Sequence, residues 1–227
     1  MLHGAGGGAW EWNVWRRVLD AAGHTVACAE LQPSTQGLAA TRWEDYRAQS
    51  VEAARACGTR PVLIGASLGG LLAAATAMEV DCAALILINP MPPLLEAERL
   101  PSQADRAAIV PWARDASLSG TRAALPDSDA AACLYAFRRW RDESGAVLTT
   151  ARRGIAIAEP ACPVLVIASP EDDDVPFSVS ATYAARLSAS LLTAPGGHVG
   201  PLLGRAAAGL AESANQWLNG VARFRTD

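Results

Sequence analysis

The chain is predicted to be an α/β protein: a mostly parallel, doubly wound sheet with one helical insertion. Three observations predict it. Short apolar runs without polar alternation recur along the chain, as expected for strands buried on both faces. Helical patterns separate them, the arrangement that builds parallel sheets. One stretch, residues 91–158, breaks this rhythm and shows no convincing strand. The 227 residues, 51% of them apolar, suffice for one sizeable core.

In order, residues 24–31 read as a strand and 43–57 as a helix. Residues 60–65 form a second strand, followed by a helix over 68–79 rich in Ala and Leu. Residues 83–89 are a third strand, nearly continuous in Leu and Ile. Residues 162–169 are a fourth, 177–187 a helix, 190–194 a short fifth strand, and 200–218 a closing helix. The core is therefore expected over 1–90 and 159–227. The insertion between them carries prolines at 92, 93, 101, 111 and 126 and helical patches around 127–142. Ligands of open α/β sheets bind beyond the carboxyl ends of the strands, so the insertion is expected to act as a lid.

Composition excludes several functions. All 19 cationic residues are arginines, because the sequence holds no lysine, and this removes Schiff-base chemistry. The net charge is -4, without a basic patch suited to nucleic acid or a basic amphipathic helix suited to a membrane surface. No apolar run reaches membrane-spanning length. Five scattered cysteines form no C-x-x-C pair and read as structural thiols. With no secretory leader, they point to a reducing cytoplasm. No metal or cofactor is expected.

The chemistry concentrates in three places. Gly65-Ala66-Ser67-Leu68-Gly69 is a G-x-S-x-G sequence between a strand and a helix. A sharp strand-to-helix turn there would strain Ser67, lift its hydroxyl above the sheet edge and aim the Leu68 N–H at the same spot. His198 follows Gly196-Gly197 after the last strand, which makes it the natural general base. His24 opens a strand, where a solvated role is usual, and His3 precedes a glycine-rich loop. An acid to orient His198 should follow another strand between Ser67 and His198. The run Glu171-Asp172-Asp173-Asp174 does so, but four consecutive acids leave the register open.

The third place is His3-Gly4-Ala5-Gly6-Gly7-Gly8-Ala9-Trp10-Glu11-Trp12, small enough to bring a second oxyanion donor close. Together with Gly65-Ala66-Ser67-Leu68-Gly69-Gly70, the acidic run closed by Val175-Pro176, and Gly196-Gly197-His198, it resembles the α/β-hydrolase superfamily. The resemblance is strongest to small serine esterases related to plant methylesterases and hydroxynitrile lyases. It spans residues 3–198 apart from the insertion. It implies Ala5 N–H as the second oxyanion donor, with Gly4 beside it, and selects Asp172 from the acidic run, Asp173 being the alternative. Two departures stand out. Gly4 replaces the threonine of hydroxynitrile lyases and lysine is absent, which argues against cyanohydrin cleavage. A serine at 67, not an aspartate, argues against dehalogenase or epoxide-hydrolase chemistry.

The expected activity is hydrolysis of a small carboxylic ester or thioester through an acyl-enzyme on Ser67. An acyltransferase with the same triad and a non-catalytic binding protein are the alternatives. Trp112, Tyr135, Phe137 and Trp140 are available to line the acyl pocket, and Arg138, Arg139 and Arg141 to meet an acidic group or solvent. A rival pattern, G-x-G-x-x-A over Gly4–Ala9 with Glu30 beyond the next strand, imitates a dinucleotide site but lacks its leading strand. Only Met1 and Leu2 precede His3, where this fold has a central strand. The first central strand is therefore expected to be truncated, with residues missing upstream, since unpaired backbone groups inside a sheet cost on the order of 1–3 kcal/mol each. Oligomeric state is not legible.

Overall fold

A computed structural model describes residues 1–101 and 106–223. Among them six strands form: β1 (Val62–Ala66), β2 (Ala84–Ile88), β3 (Ile109–Val110), β4 (Glu143–Ser144), β5 (Val164–Ala168) and β6 (Ser190–Thr193). The main sheet is parallel, in the order β1-β2-β5-β6. The helices are α1 (Asn13–Ala21), α2 (Trp43–Ala56), α3 (Leu68–Thr76), α4 (Leu94–Ala97), α5 (Leu118–Ala124), α6 (Ala130–Phe137), α7 (Gly145–Arg153), α8 (Phe177–Arg186), α9 (Gly200–Leu203) and α10 (Ala207–Arg223).

The unbroken apolar strands have the expected cause. Every residue of β2 and β5 is buried, and alternate side chains feed two cores. Leu63, Leu85, Leu87, Val164 and Val166 join one cluster with residues of α2, α3, α7 and α8. Ile64, Ile86, Ile88, Leu165 and Ile167 join a second with residues of α1, α9 and α10. Each such buried side chain contributes roughly 1.5–3 kcal/mol. β6, at the sheet edge, is mostly exposed.

Three expectations are corrected. Residues 24–31 form no regular strand; Ala29 makes only an isolated parallel bridge to Leu2, which bridges Gly65 on its other side. A strand needs a partner along its length, and among the described residues the pairing beside it is confined to Met1 and Leu2. Leu2 still donates to the Ile64 carbonyl at 2.8 Å and accepts from Ala66 N–H at 3.1 Å, so it sits in the central position with both sides bonded. The closing helix is broken at Gly204, an extended residue capping α9; a Cβ there would lie 2.0 Å from Asp127 Oδ2. Finally, residues 91–158 hold α4–α7 but also a minimal antiparallel ladder of β3 with β4. No helix among the described residues is long and apolar enough to cross a membrane.

Candidate active site

Ser67 stands between β1 and α3 with φ 53° and ψ -121°. A non-glycine residue held there costs on the order of 1–3 kcal/mol. The turn is sustained because its carbonyl accepts from Gly70, Leu71 and Met91 N–H while its own N–H donates to the Ile88 carbonyl. The close approach of strand and helix explains Gly65: a Cβ there would sit 2.1 Å from the Gly69 carbonyl oxygen. Among the described residues the Ser67 hydroxyl has no hydrogen-bond partner.

His198 follows β6, and its Nδ1 lies 2.7 Å from Asp172 Oδ2. The other carboxylate oxygen of Asp172 accepts from Asp174 N–H at 2.8 Å and Val175 N–H at 2.9 Å. The Asp172 side chain is fully shielded from solvent, whereas Asp173 and Asp174 are exposed. The acidic run thus turns one carboxylate inward, held by two backbone donors and the imidazole. For His198, burial pulls the pKa down, but the hydrogen bond and charge of Asp172, with Asp174 and Glu11, raise it above its ordinary 6.5. Asp172, Asp174 and His198 are also close enough together to hold a metal ion. The Nδ1 and the inward carboxylate are already spent on each other, so a metal would have to break that pair.

Two residues that sequence patterns overlooked brace this arrangement. Asn89, buried at the end of β2, donates from Nδ2 to the His198 carbonyl at 2.8 Å and to Ser169 Oγ at 3.1 Å; its Oδ1 accepts from Ser169 N–H at 2.8 Å. It ties three strand ends together. The signal was a lone amide closing an otherwise apolar strand. Glu11, between two tryptophans, is 3% exposed and accepts the Gly4 N–H at 3.1 Å. Burial pushes its carboxyl up to about 7, only partly offset by that hydrogen bond and by His198 and Arg141. Gly7 leaves room for this carboxylate: a Cβ there would lie 2.0 Å from Glu11 Oε1 and force the side chain to move.

A second buried carboxylate, Glu143 on β4, accepts the Gly6 N–H at 3.0 Å and the Tyr46 hydroxyl at 2.9 Å. Gly4 and Gly6 are thereby engaged, while Ala5 and Leu68 have no acceptor for their N–H groups among the described residues. His3 serves as a strut: Nδ1 donates to the Gly4 carbonyl at 2.8 Å and Nε2 accepts from Leu31 N–H at 3.1 Å. Burial lowers its pKa to about 4, so the imidazole stays neutral. The dinucleotide reading does not fit this loop. Two buried acids occupy its amides, and Glu30 is spent on Ala9 N–H and Arg141.

Ser67 and His198 border one cavity of about 370 Å³, together with Ala5 and Leu68. Residues 91–158 contribute much of the remaining wall, including Met91, Trp112, Trp140 and Leu148. Trp112 is thus one of the residues bordering the cavity. Gly4 lies behind the cavity wall, where a Cβ would approach Ser67 Cβ to 3.4 Å. Tyr135 is a correction: it packs edge-on against Trp10, carries the Arg139 guanidinium 3.7 Å from its ring and takes a hydrogen bond from Asn13, away from the cavity. Phe137 is likewise not part of the lining. Tyr135 and Trp140 both pack edge-on against Trp10, but only Trp140, beyond the end of α6, borders the cavity. Arg141 pairs with Glu30 at 2.5 Å; the arginines that do face the cavity are Arg106 and Arg152.

A strained serine after one parallel strand and a histidine–aspartate pair on later strand ends place the chain among hydrolases of the α/β class. The chain belongs to the alpha/beta hydrolase family, whose family model matches residues 1–213. Solved structures of the same fold include a pyrethroid hydrolase from Sphingobium faniae JZ-2, with TM-score 0.73, 19% identity and coverage of 98% of this chain and 97% of that one. Polyneuridine aldehyde esterase aligns with TM-score 0.72 at 15% identity, covering 94% and 97%. A tomato methylketone synthase I variant complexed with β-ketoheptanoate aligns with TM-score 0.75 at 14% identity, covering 97% and 96%. No curated protein matches the sequence significantly.

Proposed function

We propose that the protein is a serine esterase or thioesterase acting on a small-molecule acyl substrate through a covalent acyl-enzyme. The observation that carries this is the 2.7 Å His198–Asp172 contact at the rim of a cavity shared with the strained Ser67. In the first step His198 Nε2 takes the Ser67 proton as the hydroxyl oxygen attacks the substrate carbonyl. Asp172 keeps Nδ1 protonated and stabilises the imidazolium. The N–H groups of Ala5 and Leu68 receive the oxyanion. Collapse expels the alcohol or thiol, which takes the proton from His198. Water, deprotonated by His198, then releases the acid and restores Ser67.

Residues 91–158 act in this reading as a lid, with Trp112, Trp140 and Leu148 limiting the acyl group. The test has two arms. A fluorophosphonate probe should label the wild type and not Ser67→Ala. A series of p-nitrophenyl esters of rising chain length, run beside acyl-CoA thioesters, should give turnover that Ser67→Ala lowers by about a thousandfold or more. Equal labelling of both proteins removes the reading.

A further inference from the structure

We propose that Glu143 is a positioning residue for the oxyanion hole, holding the Ala5 N–H in place from residues 91–158 and joining it to the cavity wall at Trp112. This rests on the hydrolase reading above and gives that segment a part in the chemical step.

In that reading the Ala5 N–H receives the oxyanion. The direction of a backbone N–H is set by the peptide planes around it. The loop is glycine at 4, 6, 7 and 8, so it has little rigidity of its own. Its neighbours supply the rigidity. Gly6, in the left-handed region with φ 66°, is held at both of its polar groups. Its N–H donates to Glu143 Oε2 at 3.0 Å, and its carbonyl accepts from Arg141 N–H at 2.7 Å. Two residues of one short segment therefore grip the residue that follows Ala5.

Glu143 is itself fixed. It is 2% exposed on β4, where it pairs with Val110 of β3. Its second oxygen, Oε1, accepts the Tyr46 hydroxyl at 2.9 Å and the Ser144 N–H at 2.7 Å. Tyr46 comes from α2 and is buried in the core. These three groups donate to the carboxylate, so an acceptor is needed at both oxygens. An amide in its place would turn its NH2 toward the N–H of either Gly6 or Ser144. The same two-stranded ladder carries the cavity wall. Trp112 stands two residues past Val110, and its N–H donates to the Val110 carbonyl at 3.0 Å. The Trp112 ring lies so close to Gly6 that a Cβ on Gly6 would overlap it. The wall that meets the acyl group and the carboxylate that holds the oxyanion loop are parts of one element.

The test is Glu143→Gln, assayed with p-nitrophenyl butyrate and normalised to active sites titrated with a fluorophosphonate. Per labelled site, kcat should fall by about tenfold or more while KM changes less than about threefold, as for a weakened oxyanion donor. A trifluoromethyl ketone mimics the tetrahedral state: its carbonyl carbon bonds to Ser67 Oγ, its oxygen becomes the alkoxide, and the serine proton passes to His198. Its affinity should fall by the same factor as kcat/KM. Glu143→Asp keeps the charge but ends one methylene short of Gly6; it should give the same split, and it serves where the amide variant does not fold. A merely structural role lowers the labelled fraction and leaves kcat per site unchanged, and that result overturns the proposal. Trp112→Ala combined with Glu143→Gln should lose less kcat than the product of the single losses, since both act through Gly6; a strict product overturns the link to the wall. If wild type does not label at Ser67, the hydrolase reading fails first. If it labels and turns over while Glu143→Gln matches it, the positioning role alone fails.

Discussion

Replacing Glu11 by Gln isolates the most unusual group in the molecule, a carboxyl that is fully enclosed beside the loop carrying Ala5. Glutamine retains an oxygen to accept the Gly4 N–H but cannot ionise. In wild type the carboxyl moves from an ordinary 4.5 to about 7, because burial penalises the anion. The sign follows from proton binding. Below about pH 4.5 the carboxyl is protonated in folded and unfolded chain alike, and its full contribution to stability is present. As pH rises, the unfolded chain loses the proton first, so the contribution is lost progressively up to and through about pH 7. The complete loss is roughly 3 kcal/mol, and most of it, about 2–3 kcal/mol, falls between pH 5 and pH 8. Urea unfolding of both proteins at these two pH values reads the effect. Wild type should lose about 2–3 kcal/mol more than Glu11→Gln across the interval. Identical pH dependence in the two proteins would refute the argument that this carboxyl is desolvated. A companion effect is expected on catalysis: Glu11 is one of the charges that raise the pKa of His198, so the acidic limb of the rate profile should move to lower pH in the variant.

Three further outcomes are expected. The pH profile of kcat/KM should rise with an apparent pKa above 6.5, since the base must be neutral and Asp172 favours its protonated form; a midpoint well below 6.5 would contradict that pairing. Asp172→Asn should cost on the order of 10⁴-fold in kcat, as the amide no longer enforces the productive tautomer, whereas Asp173→Asn, on an exposed residue, should change kcat less than twofold; comparable losses in both would show that the contact with His198 is not what matters. Asn89→Ala should destabilise the fold by about 1–3 kcal/mol in urea unfolding, because it orphans the His198 carbonyl and the Ser169 N–H in a buried setting, and it should lower kcat more than KM by loosening the loop at 198.

Much of this architecture was legible in the linear order of residues, for a local reason. Runs such as Ala84–Ile88 and Val164–Ala168 lack polar alternation, and only a strand buried on both faces tolerates that. Small residues on both sides of Ser67 record a turn that admits no Cβ, and a histidine behind two glycines after the last strand records a loop leaning over the sheet edge. These signals are short-range, so they survive being read one residue at a time. The helix ends and the 24–31 segment were less legible, because hydrogen-bond partners far along the chain decide them.

What only the tertiary structure decided is which of several chemically equivalent side chains is taken out of water. Asp172, Asp173 and Asp174 are the same residue type in one run; backbone donors at 174 and 175 and the imidazole at 198 turn only the first inward. Glu11 and Glu143 look like ordinary surface acids until the fold encloses them around the loop at 4–6. Tyr135 and Trp140 both pack edge-on against Trp10, yet only Trp140 borders the cavity, and the arginines at the cavity are 106 and 152, not the cluster at 138–141. Local pattern sets the strands and turns, since backbone sterics act over a few residues. Burial sets the chemistry of each charged group, and burial is a property of what packs against it from elsewhere in the chain.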